Sequence, residues 1–468
     1  MILQIPNIEN LPREALLSII DQLLKRNITL TLQVEELTQH VEELSKKLAY
    51  YQHPKNSNNS SIPPSKDENR TKRNQSLREK SGKKPGGQQG HKGTTLTMVE
   101  APDKIEKIIP DYCNCCGKDL REIEAILDSK RQVVELPPIK PIYTEYQCFA
   151  RTCSCGHQQK GTYPPHITNH IQYGASVEAL VGYFSVYQYL PFKRMTELFS
   201  DVFNLPISQG SIGNLLQRLG DKSQVVYDAI QNSIAKSRSV GGDETGLRVN
   251  GDKFWAWIWQ NTMLTFIAIS INRGKQTVQK LFPKGFINAI LNSDRWKTHI
   301  TTYARGHQLC FAHLLRDLNY LIELESTEWA KNIKSLFKKA LELKRLNPQY
   351  DIGDSLTVEI EKKMDELLNE QLDQVKSPKT VIFYNSMSDY RNYLFPFLYD
   401  KEIPPDNNGS ERGIRNIKVK MKISGQFKTG HDTFAKLRSV IDTCIKRNLP
   451  VLHAMQQIAK FNTETAGV

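Results

Sequence analysis

The chain has 468 residues, with 63 Lys and Arg against 50 Asp and Glu, for a formal net charge of +13. That length holds several domains and a substantial core, and the basic excess favours a polyanionic partner such as nucleic acid. No apolar run approaches the roughly 18 residues of a spanning helix and the N-terminus lacks a charged-then-apolar signal, so a membrane role is excluded and a cytoplasmic, nucleoid-associated location is expected.

From Leu16 to Leu48 apolar residues recur in alternating steps of four and three. Leu16, Leu23, Leu30, Leu37 and Leu44 take the d positions of a heptad, and Ile20, Asn27, Val34, Val41 and Leu48 the a positions. β-Branched residues at a with Leu at d favour a parallel dimer, and Asn27 fits the single buried polar residue that sets register. A helix packed on its own domain shows a similar stripe, but the length favours a coiled coil over residues 1–50 and hence a homodimer. Residues 51–105 are crowded with Ser, Asn, Gly, Pro and Lys; they bury too little to offset their ordering entropy and read as a disordered linker. Between Lys66 and Lys92 nine Lys or Arg stand against three acids, which suits contacts with phosphates as well as simple solvation.

Six of the eight cysteines fall between Cys113 and Cys155, a local clustering that points to metal rather than to a disulfide framework. Two Cys-Gly knuckles, joined by a strand-like interval from Gln132 to Phe149, suggest a zinc ribbon over 106–168 with Cys113, Cys116, Cys153 and Cys155 as ligands of a structural Zn²⁺. Cys115 and Cys148 are the alternatives, because the second pair has a single intervening residue. Over 169–235 the pattern is helical. Phe192 to Leu219 outlines a helix-turn-helix, with a turn at Pro206 and Ser208 as N-cap, and Gln209, Ser211, Asn214, Gln217 and Arg218 available to a DNA groove.

From residue 236 the pattern alternates. A strand carrying Asp243 and Glu244 reaches a tight turn at Asn250-Gly251 and returns through Phe254 to Trp259, a β-hairpin. Met263 to Ile271 supplies a third strand, Thr277 to Leu281 a short helix, and Ile287 to Leu291 a strand running into Asp294. His307 to Cys310 is the next strand, and it leads into a helix through His313, Arg316 and Asp317. Two further helices, Trp329 to Leu346 and Ser355 to Leu372, read as an insertion at about 324–376 before Pro404-Pro405-Asp406-Asn407-Asn408 and a helix beginning near Glu411. Three strands, a helix, a strand, then a strand and a helix is the ribonuclease H-like layout, a mixed sheet flanked by helices.

Asp243, Asp294 and Glu411 are thus delivered by two strands and a helix. Such carboxylates repel unless a cation sits among them, and Mg²⁺ or Mn²⁺, which take oxygen ligands and can act in pairs on a phosphodiester, are the expected cofactors. Glu244 is an alternative to Asp243; strand alternation sends the two side chains to opposite faces, and Asp243 is preferred. Gly409 to Leu449 carries ten Lys or Arg against three acids, and Arg412 and Arg415, three apart on the helix of Glu411, together with Lys418, suit phosphate. His313 and Arg316 are further candidates for DNA contact.

With these residues in view, the chain resembles transposases of the insertion sequence 66 family, bacterial DDE enzymes, along nearly its full length. The resemblance is carried by NSNNSSIPPSKD and GGQQGHKGTTL before the cysteines, GGDETGLRVNG with WAWIW, NSDRW, CFAHLLRDL, and PPDNNGSERGIRNIKVKMKISGQF. Two departures are the shortened second cysteine knuckle and Leu314-Leu315-Arg316, where many relatives have a more basic run. The resemblance implies a catalytic triad of Asp243, Asp294 and Glu411 and a multidomain α+β chain: coiled coil, zinc ribbon, helical DNA-binding region and, over 236–468, a ribonuclease H-like catalytic domain with a helical insertion. It further implies cleavage at the element's terminal inverted repeats and joining of the 3′ hydroxyl to target DNA, with accessory proteins encoded by the element as partners. Two rival expectations are a nuclease or resolvase on the same fold and a non-enzymatic regulator built from zipper, ribbon and helix-turn-helix.

Overall fold

The computed structural model describes residues 12–56, 59–60, 67, 90, 96–325, 327–346, 355–369 and 378–461. The basic linker between Lys66 and Lys92 lies outside the described residues, apart from Asp67 and Gly90.

Helix α1 (Arg13–Gln52) is one continuous element of 40 residues. Its apolar stripe packs on neither of the two buried cores: Leu23, Leu30, Leu37 and Leu44 are each about half exposed. Among the described residues between α1 and the first core there is little regular structure. Strands β1 (Ala150–Thr152) and β2 (Gln158–Lys160) pair antiparallel across the second cysteine knuckle, and Tyr112 bridges to Asp119 across the first. The strand expected over Gln132 to Phe149 does not form. That interval gains no ladder of hydrogen bonds from a neighbour among the described residues, and Val133, Leu136, Ile142 and Phe149 are exposed rather than lining a sheet face.

Helix α2 (Ala175–Gly182) runs on through a wider turn at Tyr183–Tyr187. Helices α3 (Phe192–Phe203) and α4 (Gln209–Lys222) follow, joined by Asn204 in the left-handed region. Ser208 caps α4, its hydroxyl accepting from the Ser211 N–H at 3.0 Å. After α5 (Gln224–Ala235) comes the sheet: β3 (Ser239–Val249), β4 (Asp252–Gln260), β5 (Thr265–Ser270), helix α6 (Lys275–Leu281), β6 (Phe286–Ser293), the single turn α7 (Lys297–Ile300) and β7 (Ala304–Leu309). The β3–β4 hairpin turns at Asn250 (φ 47°) and Gly251 (φ 89°), the positive dihedrals that a two-residue turn between twisted strands requires and that Asn-Gly adopts at least cost. Strand order is β5-β4-β3-β6-β7, with the first three antiparallel and β3, β6 and β7 parallel.

Alternation along β4 explains how both sheet faces are covered. Trp255, Trp257 and Trp259 point to one side, where Trp259 meets Phe266 and Phe282; Ile258 and Gln260 point to the other, towards α12 (Asn408–Ser424). Helices α13 (His431–Lys446) and α14 (Val451–Lys460) complete this layer. Helices α2 to α5 share one continuous core with the sheet, α13 and α14, so the boundary expected at residue 236 is no break in packing. A second core is built on α8 (Phe311–Glu325), α9 (Glu328–Leu346), α10 (Ser355–Asn369) and α11 (Pro378–Asp389) around Phe311, Phe337, Met364, Phe383, Phe395 and Phe397. This second core extends past residue 376, through the short turns at Arg391–Tyr393 and Pro396–Leu398 to Ile403.

Candidate active site

Parallel pairing sets Gly241 of β3 opposite Asn292 of β6. Two residues past this pair come Asp243, still on β3, and Asp294, just beyond the end of β6, near enough that the charge of Asp294 acts on Asp243. Asn292 lies opposite Gln308 of β7, so Cys310 falls on the same line. Asp243 is pushed up to about 7, first by burial and then by the negative charges of Asp294 and Glu244; an amide N–H donated by Glu244 at 2.8 Å opposes the shift without cancelling it. Asp294 is oriented by the Trp296 N–H, which donates to its Oδ1 at 2.9 Å.

Glu411 reaches this edge because the segment before α12 is bolted to the strand ends. Asn292 donates through Nδ2 to the carbonyls of Pro404 (2.6 Å) and Asp406 (3.1 Å), and Phe311 N–H to that of Pro405 (2.9 Å). Asn407, buried, donates to the Gly242 carbonyl at 2.7 Å and accepts from the Ser410 hydroxyl at 2.6 Å. Its N–H meets the Cys310 sulfur at 3.2 Å; burial pushes that thiol up to about 11, so it stays neutral. Gly409 and Gly413 turn towards Gln260 and Ile258, and a Cβ at either would collide with those side chains, so their absence of a side chain lets α12 lie directly on β4. Glu411, in the first turn, faces α8: its carboxylate is 3.6 Å from the Arg316 guanidinium and 3.9 Å from His313 Nε2. His313 is held below its usual pKa by burial first and then by Arg316, against the pull of Asp294, Glu411 and Asp317.

On the opposite face of β3, Glu244 is enclosed. Its Oε1 accepts from Arg273 (2.8 and 2.9 Å) and its Oε2 meets His299 Nε2 at 2.8 Å. Burial works to raise Glu244, but His299 and Arg273 outweigh it and hold the carboxylate below its usual range. Burial likewise opposes a charge on His299, and Glu244, Asp294 and Asp243 overcome it, raising the imidazole. Arg273 stacks over two rings, 3.8 Å from Trp296 and 4.5 Å from Trp255.

The other expected residues separate into exposed and engaged sets. Gln209 and Asn214 are exposed on α4, and Arg412 and Arg415 are exposed on α12. Ser211 is half-buried against Ser208, and Gln217 is tied to Asp221 and Thr433. Arg218, also expected at a DNA groove, is exposed and pairs at 2.7 Å with Glu178, an acid buried at the α2–α4 contact whose charge needs a partner there. Lys418 donates to the Gly246 carbonyl at 2.8 Å, fastening α12 to β3. His313 faces Glu411 rather than solvent. Both cysteine knuckles form, each with its glycine at positive φ, Gly117 at 72° and Gly156 at 86°. Hydrogen bonds from Cys116 and Cys115 lower Cys113, and those from Cys155 lower Cys153. Among the described residues no three His, Cys, Asp or Glu side chains form a ready-made metal cage, neither at the cysteine knuckles nor among Asp243, Asp294 and Glu411.

Sequence reasoning did not find Arg273, His299 or Asn407. His299 had a faint signal, five residues after Asp294, and Asn407 stands where helix-capping residues stand; Arg273, alone in a loop, had none.

Fold and site together define a mixed α/β protein with acids near the ends of its parallel strands, beside a basic helix. The sequence matches the family described as Transposase IS66 family over residues 170–434, more than half of the chain, and the protein belongs to that family. Residues 3–97 match a family of unknown function, DUF6444. No curated protein matches the chain. Membership makes this a transposase, whose substrate is DNA. No helix of the described residues is long and apolar enough to cross a membrane.

Proposed function

We propose that this transposase cuts DNA at the ends of its element and joins the freed 3′ hydroxyl to target DNA in one site made of Asp243, Asp294 and Glu411, on a ribonuclease H-like sheet. The observation that supports this reading is that Asp243 and Asp294 both follow the paired Gly241 and Asn292 by two residues, the charge of Asp294 acts on Asp243, and Asn407 ties the start of α12, which carries Glu411, to β3. The donor set fits Mg²⁺ or Mn²⁺, being hard carboxylate oxygens whose mutual repulsion already raises Asp243. Bound there, such ions supply Lewis acidity to a phosphodiester. Asp243 and Asp294 hold the metal side of the site, Glu411 completes it once drawn from Arg316, and Arg316, Arg412 and Arg415 are placed to hold phosphates.

Gln209 and Asn214 are the α4 side chains placed for a DNA groove. The four thiols Cys113, Cys116, Cys153 and Cys155 fit Zn²⁺ as two half-sites, each polarised by neighbouring N–H groups; closing a tetrahedral site requires the knuckles to come together. The exposed stripe of α1 fits a second copy, which would hold two element ends together. Element-encoded accessory proteins and association with the nucleoid complete the proposal.

The test uses purified protein and labelled element ends, with Mg²⁺ or chelator. Wild type is expected to cleave and join only with the metal, and Asp294→Asn to lose both reactions while retaining end binding. Full activity in Asp294→Asn would remove the mechanism, and hydrolysis of pre-cut ends without a joined product would make the protein a nuclease.

A further inference from the structure

Glu244 stands next to Asp243 but on the other face of β3, so it does not share the metal side of the proposed site. Yet nearly everything that orients the aspartates passes through it. Its own N–H donates to Asp243 Oδ1 at 2.8 Å. Its side chain, 4% exposed, grips Arg273 and His299. Arg273 lies flat on Trp296, 3.8 Å from the ring centre, and the Trp296 N–H holds Asp294 Oδ1. His299 belongs to α7, the turn that follows Asp294, and it is packed edge-on to Trp257 with ring centres 5.8 Å apart. A Cβ at Gly242 would come within 3.3 Å of His299 Nδ1, so the imidazole sits tight against β3 itself.

Two short chains of contact therefore run from β3 to the loop that carries Asp294, one through Arg273 and Trp296 and one through His299. Both begin at the same carboxylate. We infer that Glu244 is a positioning residue: by clamping Arg273 and His299 it fixes the Asp294 loop against β3 and so sets the separation at which Asp243 and Asp294 present their oxygens to divalent cations. A carboxylate that served only to neutralise Arg273 would need neither the second contact nor a position beside Asp243. The inference rests on the proposed site, and it assigns Glu244 a task distinct from ligation.

The experiment uses the full-length protein in three measurements. Mn²⁺ uptake is followed by electron paramagnetic resonance without DNA, end binding is measured in chelator, and joining of pre-cut ends is measured across a Mn²⁺ series. Glu244→Gln and Arg273→Lys are each expected to weaken Mn²⁺ affinity by about 10- to 100-fold, the usual cost of removing a group that orients metal ligands. End binding should be unchanged, and joining should climb back towards the wild-type rate as Mn²⁺ is raised. Asp243→Asn should recover joining at no Mn²⁺ concentration, which separates ligand from positioner. Wild-type Mn²⁺ affinity in both variants would overturn the inference, as would a loss of rate that no metal concentration shifts. Should Glu244→Gln also lose end binding, Arg273→Lys, which keeps charge and length but not the stacked fork, decides. Failure of the site itself reads differently: wild-type protein would take up no Mn²⁺, or Asp243→Asn would bind it as wild type does.

Discussion

Replacing Asn407 with Ala should unseat Glu411 without touching any acid. The Asn407 side chain makes two buried hydrogen bonds, to the Gly242 carbonyl at 2.7 Å and from the Ser410 hydroxyl at 2.6 Å. Truncation leaves Gly242 O with no replacement on that side and the Ser410 hydroxyl without its acceptor, in a region where Ser410 is fully buried. Each orphaned group costs about 1–3 kcal/mol, so the sum is about 2–6 kcal/mol. For a cooperative unit of 150–250 residues each kcal/mol lowers Tm by about 2–4 °C, so a loss of about 3 kcal/mol, within that range, corresponds to roughly 6–12 °C. The N–H of residue 407 still reaches Cys310, so α12 stays attached but loosely registered, and end cleavage should fall while end binding persists. Thermal unfolding by circular dichroism and a cleavage assay below the transition check both parts. A variant within about 2 °C of wild type, a difference of less than 1 kcal/mol on that scale, that also cleaves normally would refute the idea that this side chain holds α12 in place.

Further outcomes follow from the same geometry. Asp243 is raised from 3.8 to about 7 in the folded chain, so the folded state holds its proton more tightly than the unfolded one. The stability this lends is complete below pH about 4 and is lost as pH rises through 7. In chelator, wild type should therefore lose stability relative to Asp243→Asn between pH 5 and 8; a constant difference between the two proteins would contradict the assigned burial. Saturating Mg²⁺ should remove this contrast by stabilising wild type alone at pH 8, as measured by thermal unfolding. Leu23→Asp with Leu30→Asp should convert a dimer to a monomer in sedimentation, since both d-position side chains are exposed in the single chain; an unchanged mass would show that α1 is not the interface.

Much of the catalytic unit was legible before any coordinates. Asn250-Gly251 between strand-forming runs has one good solution, and the hairpin formed there. The strands after it, the helix of His313 and the start of the Glu411 helix fell where periodicity and turn residues placed them, because each is specified by local pattern and by a buried face. Less local features went astray. Gln132 to Phe149 has strand-like composition, but a strand needs a partner edge and composition does not supply one. The ion pair of Arg218, which its helix suggests as a groove contact, was not legible, because its partner Glu178 lies 40 residues earlier. The helical region and the sheet looked like successive domains, and the C-terminal helices α13 and α14 close over both.

By itself the amino-acid order settled the hairpin at Asn250-Gly251 and the elements that follow it, which residues are apolar enough to bury, and that Asp243 stands on a strand with Asp294 and Glu411 at element ends. Those properties depend on neighbours a few residues away, where alternation and capping act. Tertiary structure alone decided which acids keep company. Parallel pairing of β3 with β6 brings the charge of Asp294 to bear on Asp243, Asn407 ties α12 to β3 across 165 residues, and the two faces of one strand send adjacent acids, Asp243 and Glu244, into different surroundings. The physical reason is that burial and Coulomb interaction act through space: a carboxyl near 7 and a neighbouring one held below its usual range differ in what folds against them, and nothing in the pair Asp-Glu distinguishes the two beforehand.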